Sequence, residues 1–550
     1  MKKLVMIILA IIMCFSTVSV IGCGGGGGVI IDATKTQLYV ANYDGGYGSK
    51  WLDKIIKDFE EKYAEEEFET GKKGVQIILD ADKSLHGSKI SATIGNDVNE
   101  VYFTEAVYYH QFVKSGMFRD ITTLLNKANP EDGNKTIMSK ITSPHVNYLD
   151  KGGKFYAVPH YSSFAGIMYD IDLFEAKNFY FSGVQGKEGQ FVATKTETKS
   201  AGPNGKTGDF DDGLPATYEE FFKLCDQMIK RSVTPFTWTG ANVGYYSWLN
   251  GALHADYEGL EQMQLLYGLN GTAKNLVTVD SNGNVTPRGD VAITTKNGWE
   301  MYSQAGRYYG LEFLEGMVSN PKYYHPSAFL GTYSHRHAQS SFLLDGIEDP
   351  GDPRVAMLVE GIWWEEEANA DFKYAEQFGS QYSRQNRRVG YMPLPKATAD
   401  KVGQKTTLLD VGKSFAFIST VTKESKVDLA EKFLAFCYTD ANLQHFTTVT
   451  NTPKALKYDL TTAQYNGLSN FGRSVWDVYS TADMAYPFSN NALVVDKQSE
   501  LDIYQTYVTK DWSSALVAFK DNKTSEQFFN GIVDRFSKSW WEGSYSAYWA

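Results

Sequence analysis

At 550 residues the chain is longer than one hydrophobic core usually organises, so two or more lobes are expected. A formal net charge of −12 argues against a general nucleic-acid binder or an anionic-membrane surface binder, both of which need a basic face; a local pocket of opposite sign remains open. Aromatic residues make up 14% of the chain, enough to line surfaces as well as cores, and Trp and Tyr faces suit sugar rings and peptide side chains.

At the N-terminus Lys2-Lys3 is a basic region, residues 4–15 are apolar, and Val20-Ile21-Gly22-Cys23 gives an apolar pair, a small residue and a cysteine. This run resembles the lipobox of bacterial lipoproteins, which implies loss of residues 1–22 as a signal peptide and lipidation of Cys23. The alternative is an uncleaved anchor helix, but Ser16, Thr17 and Ser19 interrupt the apolar run. Five glycines follow, and residues 23–35 read as the lipidated cysteine and a flexible tether. Cys14 leaves with the signal. Cys225 and Cys437 sit in apolar helical patterns and are expected as two buried single thiols, although an oxidising exterior permits a bond.

Residues 37–41 (QLYVA) predict a strand, 42–48 a Gly/Asn loop, and Ser49 the cap of a helix with apolar positions 52, 55, 56 and 59 on one face. A strand at 75–79, a helix at 87–96, a strand at 98–103 and a helix at 106–115 complete the alternation of an open α/β sheet, which binds ligands at strand carboxyl ends. Residues 154–174 (KFYAVPHYSSFAGIMYDIDLF) hold two apolar strands around a polar-aromatic break at 159–163, read as the point where the chain leaves one lobe for another. The Gly/Lys/Thr-rich stretch 183–215 predicts an exposed hairpin insertion. Thr217 and Glu220 have capping-box spacing at the head of a helix. Residues 235–253 give a strand end, a loop and an aromatic helix start. Helices at 296–309 and 340–344, strands at 355–364, 389–395 and 413–419, a helix at 426–438 and several aromatic-rich helices complete the chain.

Catalytic patterns are weak. Glu365-Glu366-Glu367 reads as a solvated helix N-terminus, and like Asp209/Asp211/Asp212 it holds sequence neighbours that rarely face each other across a glycosidic bond. His335-Arg336-His337 reads as surface histidines, and residues 280–284 as an Asn-Gly hairpin turn instead of an EF-hand loop. No P-loop, GxSxG or zinc-type spacing is present. Neither catalysis, a cofactor nor a metal is expected.

Four motifs in order carry a resemblance: KFYAVPHYSSFAGIMYDIDLF, TYEEFFKLCDQM, AMLVEGIWW, and VGYMPLPK followed by KSFAFIS and AEKFLAF. Together they resemble the extracellular solute-binding proteins of ABC importers, in the maltose-binding-protein-like, carbohydrate-binding class. The resemblance implies an α/β, two-lobed fold of periplasmic-binding-protein type II, with lobe 1 at 36–158 and 414–452 and lobe 2 at 159–413 and 453–550. It implies hinge closure on a carbohydrate, most simply an oligosaccharide, delivered to permease subunits by a monomer lipid-anchored outside the cell. A non-sugar solute such as a peptide is the alternative, and a surface polysaccharide-processing enzyme a third reading.

The implied ligand contacts are Asn42, Asp44 and Tyr47 on the first loop and Glu105 after the third strand. They continue with Tyr161, Ser162 and Ser163 at the pivot, Trp238, Tyr246 and Trp248 in the second lobe, and Trp363 at the stacking position. Simpler readings stand beside these: Asp44 bracing a turn, Glu105 capping a helix, any one tryptophan in a core. Where the family has an acidic residue this chain has Ser163, so a charged partner is missing from the motif.

Overall fold

The computed structural model describes residues 30–497, 501 and 514–549; the signal segment, Cys23 and the glycine run lie outside the described residues. Nine strands build its two main sheets: β1 (Thr36–Tyr43), β2 (Val75–Asp82), β3 (Val101–Thr104), β4 (Val158–Pro159), β5 (Ala165–Asp170), β6 (Val233–Thr237), β7 (Arg354–Gly361), β8 (Val389–Met392) and β9 (Phe415–Ile418).

The first sheet has the order β2-β1-β3-β9-β4. β1 runs parallel to β2 and β3, while β9 returns antiparallel to β3 and β4. Leu38 and Val40 on alternate positions of β1 point into a core shared with the helix Trp51–Lys62, which buries Trp51, Leu52, Ile55 and Phe59 on one face. That helix starts one residue later than the sequence suggests, so Lys50 holds the cap position and no side chain caps it.

The second sheet has the order β8-β5-β7-β6. β7 lies between β5, antiparallel, and β6, parallel. β5 is buried along its whole length, as its apolar run from Ala165 to Tyr169 requires, with Asp170 buried at its end. The chain therefore leaves the first sheet at Pro159 and enters the second at Ala165, with residues 160–164 as the crossing. Two further segments run beside it. Val411 N–H donates to Ser163 O at 2.7 Å, and Ser162 N–H donates to Pro453 O at 3.1 Å.

Residues 183–215 form no hairpin. Positive-φ glycines turn the chain repeatedly, leaving isolated bridges such as Ser182 with Lys199, and Val192, Asp211 and Leu214 are buried. The 277–287 region is a hairpin, with Asp280 accepting from Asn282 N–H and Asn284 N–H. Cys225 and Cys437 are buried and free. The C-terminal aromatics are core: Trp541 is buried in the second lobe, its Nε1–H donating to Thr295 O at 2.9 Å, and Phe536 stacks on Tyr302. Among the described residues no helix is long and apolar enough to cross a membrane.

Candidate functional site

The two sheets point their loops at a common cleft whose floor is the crossing. On the lobe 1 side the loop after β1 brings up Tyr43, Asp44 and Tyr47. The Tyr47 hydroxyl lies 2.8 Å from Ser163 Oγ, and its ring packs 4.1 Å from that of Tyr161. Tyr161 in turn donates its hydroxyl proton to Glu105 Oε2 at 2.8 Å, fixing the carboxylate that follows β3. Burial pushes the Glu105 carboxyl up to about 7; the Tyr161 hydrogen bond opposes this, and the charges of Asp410 and Glu367 add to it.

On the lobe 2 side an aromatic wall stands opposite. Tyr245 and Trp248 share one face of the helix Gly244–Gly268, three residues apart, and the Trp363 ring meets Trp248 edge-on at 5.5 Å and Tyr245 at 6.1 Å. Trp363 stands at the N-cap of the short helix Trp364–Glu367, just beyond β7. Gly361 makes room for its ring, since a Cβ at Gly361 would lie 2.1 Å from the indole. Below this wall the Gln339 amide is shared by two carboxylates: its Nε2–H donates to Glu367 Oε2 at 2.9 Å and Glu360 Oε2 at 3.3 Å. Burial, then the neighbouring Glu367, holds the Glu360 carboxyl well above the usual range. His335 is half-buried beside Glu367, its Nε2 3.9 Å from Glu367 Oε2, and its ring stacks against Tyr245.

The lobes meet at the mouth of the cleft. Tyr47 and Trp363 approach to 6.4 Å, and Lys50 pairs with Glu366 at 3.2 Å. A Cβ on Gly46 would lie 2.6 Å from Trp363 Cβ.

Of the residues singled out from sequence, Tyr47, Glu105, Tyr161, Trp248 and Trp363 are brought together at this cleft, Tyr47 and Tyr161 being buried at its base, and Asp44 stands beside Tyr43 at its edge. Asn42, Ser162 and Ser163 lie beneath its surface: Asn42 is buried and donates to Tyr43 O and Gly48 O, shaping the loop, and both serines are buried in the crossing. Trp238 and Tyr246 are not in the cleft. Trp238 follows Phe236 at the strand period of two, so it points to the same core and packs on Tyr324 and Phe329. Tyr246 is on the helix face opposite the cleft and is buried in the lobe 2 core.

Tyr245 belongs to the same second-lobe aromatic stretch that the sequence offers for binding, at i, i+3 spacing from Trp248. Three contributors escaped the sequence reading. Glu360, Glu367 and His335 carry no periodic signal, and topology alone assembles them. The Glu365–Glu367 cluster is not solvated: Glu365 is buried and bonds Arg384, Asn451 and Ser469. The acidic partner missing from the pivot motif is supplied from elsewhere. Buried Asp410, on the returning crossing, accepts Ser163 N–H at 3.1 Å and Gly412 N–H at 3.0 Å. Burial pushes its carboxyl up to about 7, opposed by those amides.

The site thus offers flat aromatic faces on one side and carboxylate acceptors on both. A carboxylate accepts hydrogen bonds from hydroxyl or ammonium groups, while an aromatic face covers an apolar C–H surface.

Residues 54–465 match the family model described as bacterial extracellular solute-binding protein. No curated protein sequence matches the chain. Among solved structures, a chitin oligosaccharide binding protein superposes with a TM-score of 0.54 at 15% identity, over 92% of this chain and 98% of that one. The solute-binding protein RafE in complex with raffinose gives 0.53 at 15% identity, over 91% and 99%. Maltose-bound MalE3 of T. maritima gives 0.52 at 15% identity, over 91% and 99%. At these identities the likeness concerns the fold, and it extends over nearly the full length of each chain.

Proposed function

Because the chain belongs to the bacterial extracellular solute-binding protein family, we propose that its cleft captures an extracellular carbohydrate, an oligosaccharide in the simplest case, and hands it to the permease of an ABC importer. The observation that carries this reading is the facing arrangement of Trp363, Trp248 and Tyr245 with Glu105 and Glu367 across one cleft. A sugar ring presents an apolar face to stack and hydroxyls at its edge to donate, and the cleft has a complement for each. The sugar ligands named for the similar structures support the same reading. The protein acts by binding, not catalysis, as a monomer, with closure about the crossings burying the ligand. The Cys23 lipid holds it on the outer face of the cell membrane.

A second reading is favoured by the excess of carboxylates. Glu105 and Glu367 lie near Tyr43, Glu360 and Glu367 near Tyr245, and Lys50 and Arg336 are engaged by Glu366 and Asp371. A solute bearing an ammonium group, a basic peptide or a polyamine, would use them.

Calorimetric titration of the mature protein separates the two. Maltose, raffinose or chitin oligosaccharides bind measurably, and Trp363→Ala weakens the active ligand by about tenfold or more. If no sugar evolves heat while basic peptides or polyamines do, the carbohydrate reading fails. The anchor is checked in cells, where Cys23→Ala moves the protein from the membrane fraction to the medium; retention on the membrane refutes it.

A further inference from the structure

Outside the cleft, the loop ahead of the helix Tyr218–Lys230 gathers three aspartates. One carboxylate oxygen from each of Asp209, Asp211 and Asp212 lies within 4.8 Å of the others. Clustered acids on a surface loop are ordinarily solvated, but Asp211 is fully buried and its Oδ1 has no hydrogen-bond partner. Asp212 Oδ1 is likewise shielded and unpartnered. The remaining oxygens are committed to the loop. Asp211 Oδ2 accepts Asn204 N–H at 3.0 Å, Asp212 Oδ2 accepts Gly208 N–H at 2.8 Å, and Asp209 Oδ2 accepts from the Asn204 side chain at 2.8 Å. Asp209 Oδ1 faces Asp211 N–H at 3.4 Å. Among the described residues no lysine or arginine forms an ion pair with any of the three.

A buried carboxylate beside two others, with no cation, is costly. A divalent cation removes both the repulsion and the orphaned oxygens. The donors are all oxygens, so the fitting ion is hard. Oxygens bound at about 2.3–2.6 Å on opposite sides of Ca²⁺ are separated by roughly 4.6–5.2 Å, a span that accommodates this cluster.

We propose that residues 204–212 form a divalent-cation site, for Ca²⁺, in which Asp209, Asp211 and Asp212 supply carboxylate ligands and hold this turn of the 183–215 insertion in one conformation. The loop is placed for this. A Cβ at Gly202, where φ is +64°, would lie 2.3 Å from Asp211 O, and Gly403 N–H donates to Pro203 O at 3.0 Å, so the insertion is already drawn against its neighbours. The ion is structural and stands apart from the solute cleft.

The test uses the mature protein stripped with a chelator, titrated with CaCl₂ by calorimetry and followed by thermal unfolding, with MgCl₂ as the comparison. One Ca²⁺ binds per chain and raises the unfolding temperature, as ligation of the folded state alone requires; Mg²⁺ binds more weakly. Asp211→Asn loses both the heat and the thermal shift. Asp209→Asn, at an exposed position, keeps the fold and weakens Ca²⁺ by about tenfold or more. Absence of heat and of thermal shift in the stripped parent at millimolar Ca²⁺ overturns the proposal. An equal shift in the parent and in Asp209→Asn does so as well, because the ion then binds elsewhere.

Discussion

Trp363 is the residue on which the two lobes converge: the lobe 2 aromatics line it on one side, and Gly46 and Tyr47 of lobe 1 abut it on the other. Trp364, its neighbour, is fully buried between Phe342, Phe372 and Phe471. Alternation along a strand would put one of two adjacent tryptophans in a core; here the start of a helix does so instead. The contact with Gly46 makes a prediction at this scale. Gly46→Ala places a methyl group against the Trp363 Cβ, which is tied to backbone and has little freedom to retreat. The variant is expected to fold normally, to bind its solute about tenfold more weakly, and to show a smaller ligand-induced decrease in radius of gyration by X-ray scattering. An unchanged affinity would mean that the loop after β1 does not approach Trp363 in the bound state.

At the scale of elements, the carboxyl end of β5 shows how the second sheet is locked. Asp170 is fully buried and caps the following helix by accepting Leu173 N–H at 2.9 Å. Its Oδ2 also receives Arg354 at 2.6 Å and Arg387 at 2.8 Å, from the strand pair that flanks β5. Burial opposes ionisation, but the two guanidinium groups outweigh it and hold the carboxyl below its ordinary value. Asp170→Ala leaves Arg387 buried without its anion and is expected to cost roughly 3–5 kcal/mol, read from urea unfolding. The sheets themselves were legible in sequence, because apolar strands of period two and amphipathic helices leave a periodic record, as in β1 and the helix Trp51–Lys62. The non-hairpin path of residues 183–215 and the carboxylates gathered at the cleft were not. Glu360, Glu367, His335 and Asp410 come from separate segments, and nothing local to any of them announces the others. Trp238 and Tyr246 misled for the opposite reason: an aromatic near a loop has the same composition whether it faces solute or core, and only the phase of its strand or helix decides.

For the whole molecule, buried ionisable groups set the response to pH. Burial pushes Glu105, Glu258 and Asp410 up to about 7 and Asp211 to about 8. Unfolded, these carboxyls titrate near about 4. Between those limits the folded chain binds more protons than the unfolded one, so stability falls as pH rises through the window. Buried His110 and His145, held down to about 4 and about 3, and His160 and His254, held well below their ordinary value, work in the other direction. They cost stability only as pH drops below about 6.5, where the unfolded histidines charge. Lys454, buried and lowered, opposes the carboxylates with a single proton. The chelator-treated protein should therefore unfold at a higher temperature at pH 6.5 than at pH 8, and change little from there to pH 5. A monotonic rise in unfolding temperature from pH 5 to pH 8 would contradict this balance.

The stretch around Phe488 adds a mechanical consequence. Its ring stacks on Tyr148 of lobe 1 at 4.4 Å, with Tyr486 against His145 at 4.2 Å, although the chain on either side packs on lobe 2. Closure about the crossings, as proposed, has to work against this clasp. Either the stack slides as a lubricated bearing, or it must be peeled apart, and in the second case the peeling sets the pace at which a captured molecule is let go.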